Sequence, residues 1–249
     1  MTTDKKQPKV SADYNGYDYE EYWREHDRAY EDAADRMAIR KLLPLKMQNF
    51  VDIGGGYGRL ADEYLGRAKN VTIFDYSKTE LQQAKDKYGD RIFTKAGDIY
   101  QLPFKDNTFD GMMMVRVSHH LEDLPAAMKE FYRILAPGGT FVIEIANKKT
   151  LPKMFRYWFK KSKINPFDKK PSLQKDTNMI NYHPKYAEEL FAKTGFEVEK
   201  VLSVSNFRST TLKKVFGAKA LTKMENGAQQ LLAGVRFAPS IYYRLKKPE

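Results

Sequence analysis

Residues 50–60 read Phe50-Val-Asp-Ile-Gly-Gly-Gly-Tyr-Gly-Arg-Leu60, an apolar strand pattern that runs directly into four glycines within five residues. A helix pattern over 59–67 follows at once. Glycines let the chain turn tightly and bring its backbone against a ligand that a Cβ would repel. Free N–H groups at a helix start would add a favourable field for a carboxylate. The spacing is selective. A dinucleotide loop needs G-x-G-x-x-G, whereas Gly58 is followed by Arg59 and no later glycine completes the pattern. The Gly-Lys-Ser/Thr ending of a triphosphate loop is also absent. The plain alternative is a glycine-rich turn without a ligand.

Strand and helix patterns alternate downstream. Strands are predicted at 50–53, 71–74, 91–95, 111–115 and 140–145, with helices at 59–67, 78–88 and 125–135. Short, nearly continuous apolar strands between helices predict an α/β fold, a parallel sheet covered on both faces. After Asn147 the alternation pauses, then resumes with a helix at 184–193, a Gly195 stop and a strand at 196–204. A helix around 212–232 and a strand at 240–245 close the pattern. Before the sheet, Tyr22, Trp23, His26, Tyr30 and Met37 space a helix over 19–43 that Pro44 ends.

Acids follow three successive strands. Asp75 ends the second, where a carboxylate can accept both hydroxyls of a ribose, and Tyr76 beside it can cover an adenine face. Asp98 follows the third, placed to accept an adenine amino group while the Ile99 N–H reaches a ring nitrogen. A lone Asp after a strand is usually a turn residue or a helix cap. Three in register are harder to read that way.

Together the glycine loop, Asp75, Asp98, Phe109-Asp-Gly-Met-Met-Met-Val-Arg-Val-Ser-His-His-Leu-Glu-Asp123 and Phe131-Tyr-Arg-Ile-Leu-Ala-Pro-Gly-Gly-Thr-Phe-Val-Ile143 resemble the motifs of class I S-adenosylmethionine-dependent methyltransferases. The likeness is to the branch containing ubiquinone and menaquinone biosynthesis enzymes and many small-molecule methyltransferases. It covers about residues 45–147 well and 182–246 more weakly. The resemblance implies a Rossmann-like, seven-stranded, mostly parallel sheet with helices on both faces, ordered 3-2-1-4-5-7-6 with the last strand antiparallel. It implies S-adenosylmethionine as cofactor, with S-adenosylhomocysteine as product. Asp52 would then neighbour the methionyl amino group, and Gly54, Gly55, Gly56 and Gly58 would pack against the cofactor. Asp75 would hold the ribose, Asp98 and Ile99 the adenine, with Tyr76 placed to cover its face, and Arg116 would line the methionyl part.

An activated methyl needs a positioned acceptor more than a base. A base is required only where the acceptor holds its proton firmly, and His119 and His120 are the nearest candidates. Their alternative role is to cap or pack the following helix. With no cysteine, thiolate nucleophiles, thiolate metal sites and disulfides are excluded. No His/Asp/Glu cluster has ligand spacing, so no metal is expected.

The formal charge of +11 is concentrated. Between Lys148 and Lys175 stand ten lysines or arginines against the single acid Asp168, which places +9 there. Within that segment Leu151, Met154, Phe155, Trp158 and Phe159 share one helical face, with Lys and Arg over much of the remainder. Such a helix is either a lid that closes an apolar face over the site or a basic anchor at a membrane surface. Phe155 and Trp158 are its candidate acceptor contacts. Tyr22, Trp23 and Tyr30 of the aromatic N-terminal region are others, with core packing as their alternative.

The expected organisation is a tail and aromatic helix over 1–44 covering the cofactor site, then a Rossmann-like domain over 45–249 with a basic insertion at about 148–181. Met1 to Val10 has no signal-peptide pattern and no run could span a bilayer, so a cytoplasmic protein is expected, with peripheral membrane contact attached to the basic helix. The expected function is methyl transfer to a small-molecule or lipid-like acceptor. The competing readings are an RNA methyltransferase gripping phosphates with the basic segment, and a membrane-surface protein with a non-catalytic cofactor domain. The absence of an Asn/Asp-Pro-Pro-aromatic signature and of any attached RNA module makes nucleic acid the less favoured partner.

Overall fold

Strand β1 (Met47–Ile53) carries the logic of the sheet. Val51 and Ile53 point into one buried layer with Met112, Met114, Phe141 and Ile143, while Phe50 points into the other with Ile73, Met113, Val142 and Tyr242. Successive side chains alternate faces and both faces are covered, so the strands must be apolar almost throughout. The computed structural model describes Trp23 and residues 28–174 and 178–249.

The other strands of the main sheet are β2 (Ala68–Asp75), β3 (Phe93–Ala96), β4 (Phe109–Met114), β5 (Leu135–Ala146), β8 (Glu197–Val204) and β9 (Ser240–Lys246). Their order is β3-β2-β1-β4-β5-β9-β8. Only β9 runs antiparallel to its neighbours β5 and β8. The remaining pair, β6 (Ser172–Gln174) and β7 (Met179–Asn181), forms a separate antiparallel hairpin. With that hairpin set aside, the order is the 3-2-1-4-5-7-6 that the resemblance implied, the last strand antiparallel and inserted.

Helices α1 (Ala29–Leu42), α2 (Lys78–Tyr88), α3 (Leu124–Ile134), α4 (Leu151–Trp158), α5 (Pro184–Thr194) and α6 (Thr210–Leu231) complete the described elements. α3 and α5 supply Phe131 and Phe191 to the first layer; α1 and α2 supply Ile39 and Leu81 to the second. Ser77 and Asp123 cap α2 and α3 with side-chain oxygens, and Gly195 at φ +104 ends α5 in the left-handed conformation. The helix predicted over 19–43 is not continuous: Arg28 is non-helical and stands at the N-cap of α1, and of the earlier part only Trp23 lies among the described residues.

Two further expectations are corrected. No α-helix forms over 59–67: a 3-10 turn, Ala61–Glu63, stands there instead. The Arg59 carbonyl, which an α-helix would give to the Glu63 N–H, accepts Arg36 Nη2 at 2.7 Å, and the Glu63 N–H turns to Leu60. The amphipathic helix ends at Trp158, so Phe159, the last residue of its predicted face, caps it. Lys160 adopts φ +54, and the Lys161 and Lys160 N–H groups return to the Arg156 and Tyr157 carbonyls. That is a Schellman ending with lysine at the position glycine usually takes.

Candidate functional site

The winding of the sheet reverses beside β1, with β2 and β3 on one side and β4 and β5 on the other. Loops from the two sides diverge there, and open α/β sheets bind ligands in that crevice, outside the carboxyl ends of the strands. The glycine loop leaves β1 at this point and residues 115–121 leave β4. A Cβ on Gly54, which sits at φ +70, would lie 2.3 Å from Val117 Cγ2, so the two loops meet where only glycine fits.

Carboxylates surround the loop. Gly56 donates its N–H to Asp75 Oδ2 at 3.0 Å, and Ser77 donates to Asp75 Oδ1 at 2.9 Å. Burial raises the pKa of Asp75 above the ordinary carboxylate value against these backbone donors. Tyr57 donates to Glu80 Oε2 at 3.2 Å. Asp52 is buried beneath Gly55, whose Cβ would touch its carboxyl carbon. Tyr64 donates to Asp52 Oδ2 at 2.9 Å, yet burial pushes the Asp52 carboxyl up to about 7. Two strands away, Asp98 is exposed and accepts from the Tyr100 N–H at 2.9 Å, followed by the buried Ile99; Tyr76 is half-buried beside Asp75.

Arg116 follows β4 at φ +63 with its guanidinium turned onto α1. Nε and Nη2 donate to the two oxygens of Asp35 at 3.1 and 3.0 Å. Asp35 is fully buried and also accepts from Arg59 at 3.0 Å and from the Tyr242 hydroxyl at 2.7 Å. Burial alone would raise its pKa; Arg116 and Arg59 more than offset that and hold the carboxyl below its ordinary value. Trp23 lies over this network, its ring centroid 3.8 Å from Arg59 Cζ. The structure thus gives Arg116 a carboxylate partner 81 positions away.

His119 and His120 sit in a 3-10 turn, Ser118–His120, with ring centroids 4.1 Å apart. Burial, helped by the charges of Arg116 and Arg208, lowers the His119 pKa well below the ordinary histidine value; burial brings His120 to about 4. Both are therefore neutral near pH 7. His119 Nδ1 is buried with no hydrogen-bond partner among the described residues.

Among the acceptor-side candidates, Tyr22 lies outside the described residues. Tyr30 is fully buried, donates to Glu225 at 2.7 Å and accepts from the Phe207 N–H at 2.9 Å, which makes it a core tether between α1 and α6. In α4 only Met154 is buried; Phe155 and Trp158 are 52% and 57% exposed.

Asp35 and Glu80 are buried beside the loops of the site and were not singled out from the sequence. Glu80 was within reach: Ser77-x-x-Glu80 is the capping-box spacing, with the acid diverted to the glycine loop instead of returning to its own cap. Asp35 carried no local signal.

Residues 51–143 match the model of a family described as a methyltransferase domain. A probable S-adenosylmethionine-dependent methyltransferase of Mycolicibacterium smegmatis is 30% identical over 186 residues, 74% of this chain and 63% of the relative. A demethylmenaquinone methyltransferase of Symbiobacterium thermophilum is 30% identical over 133 residues, 45% of this chain and 51% of the relative. The chain thus spans less than two thirds of either relative's length. The crystal structure of an S-adenosylmethionine-dependent methyltransferase from Thermotoga maritima shares the fold, with a TM-score of 0.62 and 23% identity over 92% of this chain and 94% of that one. The sequence match and the sheet order agree over the same strands: residues 51–143 match a methyltransferase domain, set in a fold shared with S-adenosylmethionine-dependent methyltransferases.

Proposed function

We propose that this chain transfers the methyl group of S-adenosylmethionine to a small-molecule or lipid-like acceptor. The carrying observation is the set of carboxylates Asp52, Asp75 and Asp98 after three neighbouring strands, arranged about a glycine loop at the reversal point of the sheet. The residues suit the cofactor. Asp52 is a buried acid whose ionisation burial opposes, and an ammonium beside it would restore its charge. Asp75 retains acceptor capacity on both oxygens beyond its backbone donors, as a ribose diol requires. Asp98 and the Ile99 N–H are assigned the adenine edge, Tyr76 its face, and Gly54, Gly55, Gly56 and Gly58 the close backbone approach.

Bound there, the cofactor supplies an already activated sulfonium methyl. The chain's own work is to hold the acceptor in line and to keep water out. Arg116, fixed by Asp35, sets the backbone where the β4 loop meets the glycine loop. His119 is neutral and can accept a proton, but its lowered basicity suits only an acceptor whose proton is already acidic.

A lipid-like acceptor, taken up in peripheral contact with a membrane, is favoured by the outward face of α4. Leu151, Phe155, Trp158 and Phe159 are exposed, as are Ile164 and Phe167 just beyond, and Arg156, Lys160, Lys161 and Lys163 stand among them. Several cations of the segment are committed elsewhere, which weighs against a phosphate-gripping role on RNA. Lys148 is buried on the carbonyls of Asp168 and Lys170, and Lys169 pairs with Glu189. No helix among the described residues is long and apolar enough to cross a membrane.

Calorimetry with S-adenosylmethionine tests the central reading. Saturable binding is expected, weakened at least about tenfold by Asp75→Ala, which corresponds to about 1.4 kcal/mol. Undiminished binding by that variant, or none by the wild type, would overturn it.

A further inference from the structure

The insertion between β5 and α5 presents two different faces. Outward it shows the aromatic side chains described above. Inward, its hairpin strand β7 packs on the Ser118–His120 turn and on β5, and Tyr182 bridges to Asn147 at the carboxyl end of β5. Lys153 projects from α4 onto that inner side. Its Nζ donates to the Asn147 carbonyl at 3.2 Å and to Asn181 Oδ1 at 3.1 Å. An ammonium has three N–H donors, and no carboxylate lies within ion-pair distance of this one among the described residues.

Two neighbouring polar groups share that want of a partner. Asn181 is more than nine-tenths buried, and with its oxygen turned to Lys153 its Nδ2 is left with no hydrogen bond. His119 Nδ1, on the turn beneath β7, is likewise unpaired. The local charge is positive. Arg208 is close enough to oppose protonation of both Lys153 and His119, and Lys148 adds to the first. The acid nearest Arg208 is Glu31, at 3.4 Å, which Lys213 holds at 2.7 Å. Buried donors without acceptors beside an uncompensated cation are unfavourable unless something anionic completes them.

We propose that Lys153, Asn181 and His119 form a subsite for an anionic group, a carboxylate or a phosphate monoester, on the methyl acceptor. This rests on the methyltransferase reading, because it places the anion beside the β4 loop that faces the methyl-transfer position. Lys153 supplies the charge, Asn181 Nδ2 a directed donor, and His119 a donor in its Nδ1–H tautomer. Arg208 adds to the field from the loop after β8.

The test is calorimetry on the full chain saturated with S-adenosylhomocysteine. The probes are benzoate and phenyl phosphate against the neutral benzamide and phenol. At least a tenfold preference for the anions is expected; Lys153→Arg keeps it and Lys153→Met removes it. A second readout needs no variant. Burial and the neighbouring cations bring Lys153 to about 8, and it must be protonated to attract an anion. Benzoate affinity in the wild type should therefore hold below pH 8 and fall up to tenfold per unit above it, a fall absent in Lys153→Arg. Free acids and lipid acids share this chemistry, so decanoate is run beside benzoate. Tighter binding of decanoate identifies a lipid source for the anion, and weaker binding a free acid. Equal binding of neutral and anionic probes, or a preference that survives Lys153→Met, would sink the proposal. Cofactor binding measured first in each protein separates the two failures. Normal S-adenosylhomocysteine binding without anion preference overturns the subsite alone, whereas absent cofactor binding overturns the function proposed above.

Discussion

Asp52 shows what a single residue has to endure at the end of β1. Its carboxylate lies under the glycine loop with the Tyr64 hydroxyl for a partner, and burial pushes its pKa from 3.8 up to about 7. The folded state then holds a proton that the unfolded chain releases near pH 4. Stability should fall as pH rises from about 4 to about 7 and level off above, at about 1.4 kcal/mol per unit of pKa difference. Urea unfolding at pH 5 and pH 8 measures this: Asp52→Asn should flatten the decline seen in the wild type, and an unchanged slope would refute the assignment. Residues of this kind were legible in the sequence because each follows an apolar strand at a fixed offset. Asp35 was not, since its partners Arg59, Arg116 and Tyr242 are distant in sequence and nothing local announces a pairing across 81 positions.

At the scale of elements, periodicity and caps located α2, α3 and α5 to within a residue or two at each end, because in each the helix signals and the tertiary packing agree. They failed at 59–67, where a side chain from α1 captured a carbonyl that the helix required. They overran at α4, where lysine adopted a left-handed conformation usually left to glycine. The hairpin β6–β7 was missed altogether: three-residue strands are too short for alternation to register. α4 carries its own prediction. Phe159, at 71% exposed, together with Phe155 and Trp158 gives an apolar edge set among cations, suited to an anionic bilayer. The wild type should sediment with phosphatidylglycerol vesicles at low salt, and Phe155→Ser combined with Trp158→Ser should leave most of the protein in the supernatant. Equal sedimentation of the two proteins would place the contact elsewhere.

For the whole molecule, the decisive junction is the one that Asp35 makes. Through it α1, the glycine loop, the end of β4 and the inserted strand β9 share one buried carboxylate. Removing one member of such a set leaves buried guanidinium groups uncompensated. Asp35→Ala should therefore destabilise the fold by about 3–5 kcal/mol, a large part of the roughly 5–15 kcal/mol that domains possess, read as a drop in the thermal midpoint. A shift of under two degrees would mean that water enters and solvates the arginines. The seven-stranded order was foreseen from motifs, whereas the seam binding α1 to the sheet became visible only in three dimensions.

Asn147 closes a gate of a different kind. Its side-chain nitrogen donates to the carbonyls of Arg236 and Ala238, while the Lys148 N–H donates to the Tyr182 carbonyl and the Tyr182 N–H to the Ala146 carbonyl, so the two ends of the insertion meet at one knot. Everything between is a closed excursion from the sheet. Lengthening such an excursion is cheap, since each doubling of a flexible loop adds only about 0.6 kcal/mol of closure entropy. The segment proposed to touch the acceptor is thereby separable from the segment proposed to hold the cofactor. A lineage could rewrite the stretch between Asn147 and Tyr182, and with it the choice of acceptor, while the winding of the strands remained as inherited.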